Sequence, residues 1–169
     1  AAGTAQLIRL VGTNDLDAGS SGTVNLLLQG ASGSMKLENT LNVTGNLTIN
    51  AAQTTSNISG AINATGNITA TDSNSITTTA SISAAGNISL TADAGSLSVG
   101  GNLTSTGASK KITLKATGNV STSTSVTIQS NAGNIVFWSN SDKVAGVAGD
   151  GGQVYLASNT SLNSQGGGI

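Results

Sequence analysis

The sequence predicts an all-β fold, a parallel β-solenoid, and three observations lead to that prediction. First, a phrase of glycine, asparagine, an aliphatic residue and a hydroxyl residue recurs in the middle of the chain, beginning at Gly45, Gly66, Gly86, Gly101 and Gly118. Second, aliphatic residues alternate with Ser, Thr or Asn at the two-residue period of a half-buried strand. Third, the 169 residues include no proline, no cysteine and only 8% charged residues. These features are typical of a short structural unit that repeats along one axis.

The composition has a physical reason in a stack of parallel strands. A proline inside such a stack would remove a ladder hydrogen bond, because nearly every strand has a neighbour on both sides. Identical positions in adjacent coils lie about 4.8 Å apart, where like charges repel by roughly 0.9 kcal/mol even in water. Asn, Ser and Thr avoid that repulsion because their side chains can hydrogen-bond to the same group one coil away. Low-complexity disorder is the main alternative, but a disordered segment has no need of alternating aliphatic residues.

Residues 1–44 are expected to form the less regular N-terminal coils of a single domain that spans residues 1–169. We expect a first strand or cap over residues 6–11 and an irregular stretch over 12–22, which contains Asp15 and Asp17. Alternation then predicts strands whose inward residues are Val24, Leu26, Leu28, Met35, Leu37, Leu41 and Val43.

Residues 45–132 are expected to form the most regular coils. Glycine adopts left-handed backbone conformations without steric cost and Asn tolerates them, so each Gly-Asn pair is expected to form a sharp corner. The aliphatic residue that follows would enter the core. Subtracting the positions of successive glycines, with a sixth copy of the phrase at Gly133, gives 21, 20, 15, 17 and 15 residues. We therefore expect coils of unequal length and, at a mean of about 18 residues, roughly nine coils in a rod about 45 Å long.

Residues 133–169 are expected to form C-terminal coils that carry the few aromatic residues. If Ile135 faces inward, alternation directs Val136 and Trp138 outward. Aligning Ile135 with Val154 one coil later would place Tyr155 beside Val136. The sequence thus predicts an exposed apolar patch of Val136, Trp138 and Tyr155, which either binds a partner or is covered by a further segment.

The same region contains candidate calcium ligands. Asn140, Asp142 and Asp150 carry oxygen ligands within a glycine-rich segment. The sequence around Asp150 matches one imperfect copy of the calcium-binding nonapeptide of other solenoids. The other interpretation is a surface loop, because glycines and short acidic residues also form turns without any metal.

Composition argues against several other functions. The chain has no His and no Cys, and its seven acidic and six basic residues are scattered, so thiol nucleophiles, Ser-His-Asp triads and His-based metal sites are excluded. We therefore expect no enzyme activity and no cofactor. The formal net charge of -1, and the absence of a basic run longer than Lys110-Lys111, argue against nucleic acid as a partner.

A more specific comparison depends on the C-terminal strands. Residues 135–142 read Ile-Val-Phe-Trp-Ser-Asn-Ser-Asp, and residues 151–156 read Gly-Gly-Gln-Val-Tyr-Leu. Together with the Gly-Asn corners of residues 45–121, these segments resemble the repeats of filamentous-haemagglutinin-type exoproteins, large surface adhesins of Gram-negative bacteria exported by two-partner secretion. The resemblance covers most of the chain and is least clear over residues 1–36. It implies a right-handed parallel β-helix that serves as the shaft of an adhesin.

The resemblance also implies a location and partners. Exoproteins of this family cross the outer membrane unfolded through a partner pore and fold outside the cell, which suits a chain without disulfides. We therefore expect an extracellular shaft segment on the bacterial cell surface that mediates or supports adhesion to a host-surface protein or glycan. The alternatives are a glycan- or ice-binding β-solenoid module and an extracellular filament subunit that self-associates end to end through unpaired strand edges. Unequal coils argue against ice binding, which needs a regular surface.

Overall fold

The computed structural model describes residues 6–10, 12–29, 33–52, 55–141 and 151–169. In these residues the chain forms β-strands and no helix, which confirms the predicted all-β class. The strands are β1 (Gln6–Leu10), β2 (Asn14–Asp17), β3 (Thr23–Gln29), β4 (Gly33–Leu37), β5 (Leu41–Thr44), β6 (Asn46–Ala52), β7 (Thr55–Ile58), β8 (Ile62–Ala64), β9 (Ile68–Asp72), β10 (Ile76–Thr78), β11 (Ile82–Ala84), β12 (Ile88–Ala92), β13 (Leu97–Val99), β14 (Leu103–Ala108), β15 (Ile112–Ala116), β16 (Val120–Thr122), β17 (Thr127–Asn131), β18 (Ile135–Trp138), β19 (Val154–Tyr155) and β20 (Ser161–Asn163).

The strands form three parallel sheets, and each coil of the chain contributes one strand to each sheet. Sheet A contains β1, β4, β7, β10, β13, β16 and β19, and sheet B contains β2, β5, β8, β11, β14, β17 and β20. Sheet C contains β3, β6, β9, β12, β15 and β18. Each strand therefore pairs with the strand three places further along the sequence. This topology confirms the predicted parallel β-solenoid.

The described residues form fewer coils than the roughly nine that we expected. The described strands form six three-strand coils and two strands of a seventh. In the middle of the chain, equivalent residues such as Ile62, Ile82 and Leu103 of sheet B are 20 and 21 positions apart. The expected mean of about 18 was too short because a coil needs room for three strands and three corners.

The uneven spacing of the Gly-Asn phrase does not measure coil length. Gly45, Gly66, Gly86 and Gly133 all precede strands of sheet C, whereas the phrase at 101 precedes β14 of sheet B and that at 118 precedes β16 of sheet A. The separations of 15 and 17 residues are therefore distances between copies of the phrase at different kinds of corner, not between equivalent positions in successive coils. Coil length does vary, and Ile88 and Ile112, which are 24 positions apart, still pair directly. Part of the extra length lies at a register shift in β14, between Ser105 and Ala108.

The corner glycines are needed for packing rather than for a left-handed backbone. Among the described copies of the phrase, only Gly45 has a positive φ, of 107°. At Gly118 a Cβ would lie 2.7 Å from Oγ of Ser96, in the coil before. The left-handed conformation that we expected at these corners is therefore absent from most described copies. Glycine is required there instead because the close approach of two coils leaves no room for a side chain.

Aliphatic side chains from the three sheets fill the interior in columns. In sheet B the column consists of Leu41, Ile62, Ile82, Leu103 and Ile128, all of which are fully buried. Burying each such side chain contributes about 1.5–3 kcal/mol. The predicted inward residues from Leu28 to Val43 are also buried, and Val24 and Leu26 pack partly buried against the core.

The N-terminal coil differs from the expectation in one respect. Residues 14–17, which we placed in an irregular stretch, form β2 and pair with β5. The strand was missed because Leu16 is its one aliphatic residue, flanked by Asp15 and Asp17, so it shows little hydrophobic alternation. Both aspartates therefore project outward from sheet B, in register with Asn42 and Thr44.

Candidate functional site

The asparagine of the repeated phrase links one coil to the next. Oδ1 of Asn46 accepts hydrogen bonds from the backbone N–H and Nδ2 of Asn67, at 2.8 and 2.9 Å. Oδ1 of Asn67 accepts the same two bonds from Asn87, at 2.8 and 3.2 Å. Oδ1 of Asn87 then accepts from the backbone N–H of Lys111 at 2.9 Å. This asparagine ladder satisfies corner N–H groups that the sheets leave unpaired.

The same type of hydrogen bond between coils is found at the other corners. Oδ1 of Asn102 accepts from the backbone N–H of Thr127 at 2.8 Å, and Oδ1 of Asn119 accepts from that of Gln153 at 2.9 Å. The phrase therefore has a structural role wherever it occurs, and its asparagine does more than tolerate a turn.

The three residues of the predicted apolar patch lie on two different sheets. Val136 and Trp138 project from β18 of sheet C, where they pair with Thr113 and Lys115. Tyr155 belongs to β19 of sheet A and pairs with Ser121. All three side chains are exposed, at 38%, 51% and 64%, as predicted. The alignment of residue 135 with residue 154 was wrong, so the three do not form one patch.

On sheet C, the exposed indole of Trp138 lies beside a cation. Nζ of Lys115 lies 4.9 Å from the centroid of the Trp138 ring. Such a contact contributes about 0.5–1 kcal/mol at an exposed site. About half of Trp138 remains exposed, so it could still contact a partner. The partner-binding role of Val136, Trp138 and Tyr155 stays a prediction.

The candidate calcium ligands are only partly described. Oδ1 of Asn140 is buried and accepts no hydrogen bond from the described residues. Asp142 and Asp150 lie outside the described residues, so the calcium site stays a prediction. Within the described ranges, no group of three or more His, Cys, Asp or Glu side chains lies close enough to hold a metal ion.

One carboxyl group is buried in the interior. Asp72, at the end of β9, is 0% exposed. Its Oδ2 accepts a hydrogen bond from Oγ of Ser56, and its Oδ1 accepts from the backbone N–H of Asn74 at 2.7 Å. Burial raises the pKa of Asp72 above its ordinary value, although these hydrogen bonds oppose the shift. The contacts hold the corner between sheets C and A.

A shallow groove of about 450 Å³ runs along the outward face of sheet B. Its lining comprises Asp15, Leu16, Asp17, Asn42, Val43, Thr44, Asn63, Ala64, Thr65, Ser83, Ala85 and Thr106. Ten of these twelve residues belong to five successive strands, β2, β5, β8, β11 and β14, and Thr65 and Ala85 directly follow β8 and β11. The groove is therefore about 19 Å long. Sequence reasoning missed it because β2 was not recognised. The two-residue spacing of Asp15 and Asp17, which is that of residues on one face of a strand, could have indicated it.

Hydroxyl side chains form two columns on the outward face of sheet C. One column contains Thr48, Thr69, Ser89 and Thr113, and the next contains Thr71 and Thr91. Strand pairing keeps neighbours in each column in direct register. The sheet thus presents hydroxyls at two regular spacings, about 4.8 Å between strands and about 6.6 Å along them.

The described residues contain no helical segment with the length and hydropathy needed to cross a membrane. No protein-family model, curated protein or solved structure shows significant similarity to this chain.

Proposed function

We propose that this chain is a structural segment of the β-helical shaft of a large secreted bacterial adhesin of the filamentous-haemagglutinin type. The observation that carries the proposal is the in-register stack of coils, in which each strand of a sheet pairs with its counterpart one coil away. Further coils can be added to such a stack without any new kind of contact, because each coil contacts only its neighbours. Its corners are held by asparagine ladders, and its surface carries few charges.

The finer features of the proposal come from the resemblance of the sequence to that family. We propose a right-handed coil, an extracellular location on a Gram-negative cell and an outer-membrane secretion partner. The shaft would support adhesion to a host-surface protein or glycan. The absence of cysteine from the sequence is compatible with export in an unfolded state.

Antibodies raised against this chain provide the test of location. The proposal expects them to label intact source cells, and expects mild protease treatment of those cells to remove the label. Labelling that appears only after the cells are permeabilised would contradict it.

A second experiment distinguishes a segment that only supports adhesion from one whose own surface binds the host. Outward Ser and Thr residues that are not neighbours, such as Ser98 and Thr104, would be replaced by Ala in the native adhesin. A shaft should keep full adhesion, whereas loss of adhesion with unchanged folding would place the working surface in this segment.

One observation favours ice binding as a second candidate function. Coils of unequal length would be expected to break the surface lattice, but the two hydroxyl columns of sheet C remain in register. The lattice is interrupted by Asn50 and Lys115, which occupy the column of Thr71 and Thr91. Thermal hysteresis of the wild type and of a Thr69→Val/Thr71→Val variant would test this function. No hysteresis in the wild type would exclude it.

A further inference from the structure

We propose that the groove on sheet B binds a linear oligosaccharide that carries free amino groups, such as a partly deacetylated hexosamine chain. The site lies on a different sheet from the exposed indole of Trp138. It is independent of whether the chain is an adhesin shaft.

The shape of the groove favours an extended ligand. It follows the solenoid axis along sheet B for about 19 Å. One outward column contains Asp15, Asn42, Asn63 and Ser83 in direct register, and a second begins with Asp17 and Thr44. A linear polymer with a polar group on every unit could repeat its contacts from strand to strand. A compact ligand would use only part of the length.

The first column supplies amide and carboxylate groups that are already oriented by one another. Nδ2 of Asn63 donates to Oδ1 of Asn42 at 2.9 Å, and Nδ2 of Asn42 donates to Oδ1 of Asp15 at 2.7 Å. Asn63 Oδ1 and Asp15 Oδ2 accept no hydrogen bond from other described residues, so they remain available as acceptors. Sugar hydroxyl and amino groups are suitable donors for them.

The negative charge of the groove favours a ligand that carries amino groups. Among the described residues, its lining contains two carboxylates, Asp15 and Asp17, and no basic residue. Each uses one oxygen within the protein, since Oδ1 of Asp17 accepts from the backbone N–H of Gly19 at 2.7 Å. The second oxygens carry negative charge at one end of the groove. An ammonium group would be attracted there, whereas an acidic glycan would be repelled.

The strand pairing disfavours a basic peptide as the occupant. Strands β5, β8 and β11 have neighbours on both sides, so their backbone groups cannot pair with an added peptide strand. The described lining also offers no aromatic residue to hold a peptide side chain. Hydroxyls and amides in register suit a sugar polymer better.

The test uses short glucosamine oligomers, N-acetylglucosamine oligomers of the same length and a lysine peptide of matched charge. Binding to the whole chain would be followed by changes in backbone amide NMR signals. We expect glucosamine oligomers to shift the signals of β2, β5 and β8, and higher salt to weaken that binding. Acetylated oligomers should bind at least tenfold more weakly.

Two variants with equal change in charge complete the design. Asp15→Asn/Asp17→Asn keeps the oxygens that accept from Asn42 and Gly19, and should weaken glucosamine binding about tenfold. Glu38→Gln/Asp93→Asn removes two exposed carboxylates outside the groove and should leave binding unchanged.

Several results would overturn the proposal. These are the absence of binding, equal binding of acetylated oligomers, equal loss in both variants, or shifts confined to another sheet. Tighter binding of the lysine peptide would assign the groove to a basic protein partner instead.

Discussion

Replacing Gly66 by Ala tests whether coil packing requires glycine at the corners. Gly66 does not have a positive φ, so Ala could adopt its backbone conformation without strain. A Cβ there would lie 2.6 Å from Oδ1 of Asn46 and 2.6 Å from the carbonyl oxygen of Gly45, whereas ordinary contact begins at 3.4 Å. The two coils would have to separate by about 0.8 Å, the difference between those distances. That movement would lengthen the 2.8 Å hydrogen bond from the N–H of Gly66 to the same carbonyl oxygen.

The expected cost follows from two opposing effects. Overpacking of this kind costs about 1–3 kcal/mol. Alanine also restricts the unfolded chain, which stabilises the folded state by about 0.4–1 kcal/mol. We therefore expect Gly66→Ala to lower the free energy of unfolding by roughly 1–2 kcal/mol. In urea unfolding followed by circular dichroism, the midpoint should fall by roughly 0.5–1 M.

Gly151→Ala is the matched control. Its φ is not positive, and a Cβ there would meet no atom of the described residues within 4 Å. We expect this variant to be as stable as the wild type, or more stable by up to about 1 kcal/mol. The packing argument is refuted if Gly66→Ala is as stable as Gly151→Ala.

Three further variants test the core, the ladder and the buried acid. Ile88→Ala, at a fully buried position, should lower the unfolding free energy by about 2–5 kcal/mol in chemical denaturation, and a loss below about 1 kcal/mol would contradict the packing described. Asn67→Ala removes the acceptor of the Asn87 N–H and should cost about 1–2 kcal/mol in the same assay, while Ala at the exposed Asn57 of sheet A should cost little. Because burial raises the pKa of Asp72, the folded state holds this proton more tightly than the unfolded state, so stability from this group is lost as pH rises above 3.8. Asp72→Asn should thus gain stability relative to the wild type as the pH of thermal unfolding is raised, and a constant difference at all pH values would contradict this.

Much of the fold could be predicted because local alternation determines which side chains face inward. Leu47 and Ile49, for example, alternate with Thr48 and are both buried. The number of coils could not be predicted in the same way. The Gly-Asn phrase occurs at all three kinds of corner, and a local sequence does not indicate which corner it occupies.

The candidate sites were harder to predict because they depend on pairing between distant strands. Exposure of Trp138 and Tyr155 followed from alternation, but their placement on different sheets depends on which strand lies one coil away. The groove required recognition of β2, whose single aliphatic residue gives a weak pattern. Buried Asp72 was unexpected, because acidic residues are rarely buried without hydrogen-bond partners and its partner Ser56 is distant in sequence.

The central claim is that the coils stack in register as a rod, and a distance between two labelled coils tests it most directly. Asn25 and Val136 are both exposed and occupy one outward column of sheet C, five strand-to-strand steps apart. The cysteine-free chain allows a spin label at each position, through Asn25→Cys and Val136→Cys. Pulsed electron spin resonance should give one narrow distance distribution centred near about 24 Å, broadened only by the label linkers. A broad distribution, or one centred far beyond that distance, would contradict the in-register solenoid.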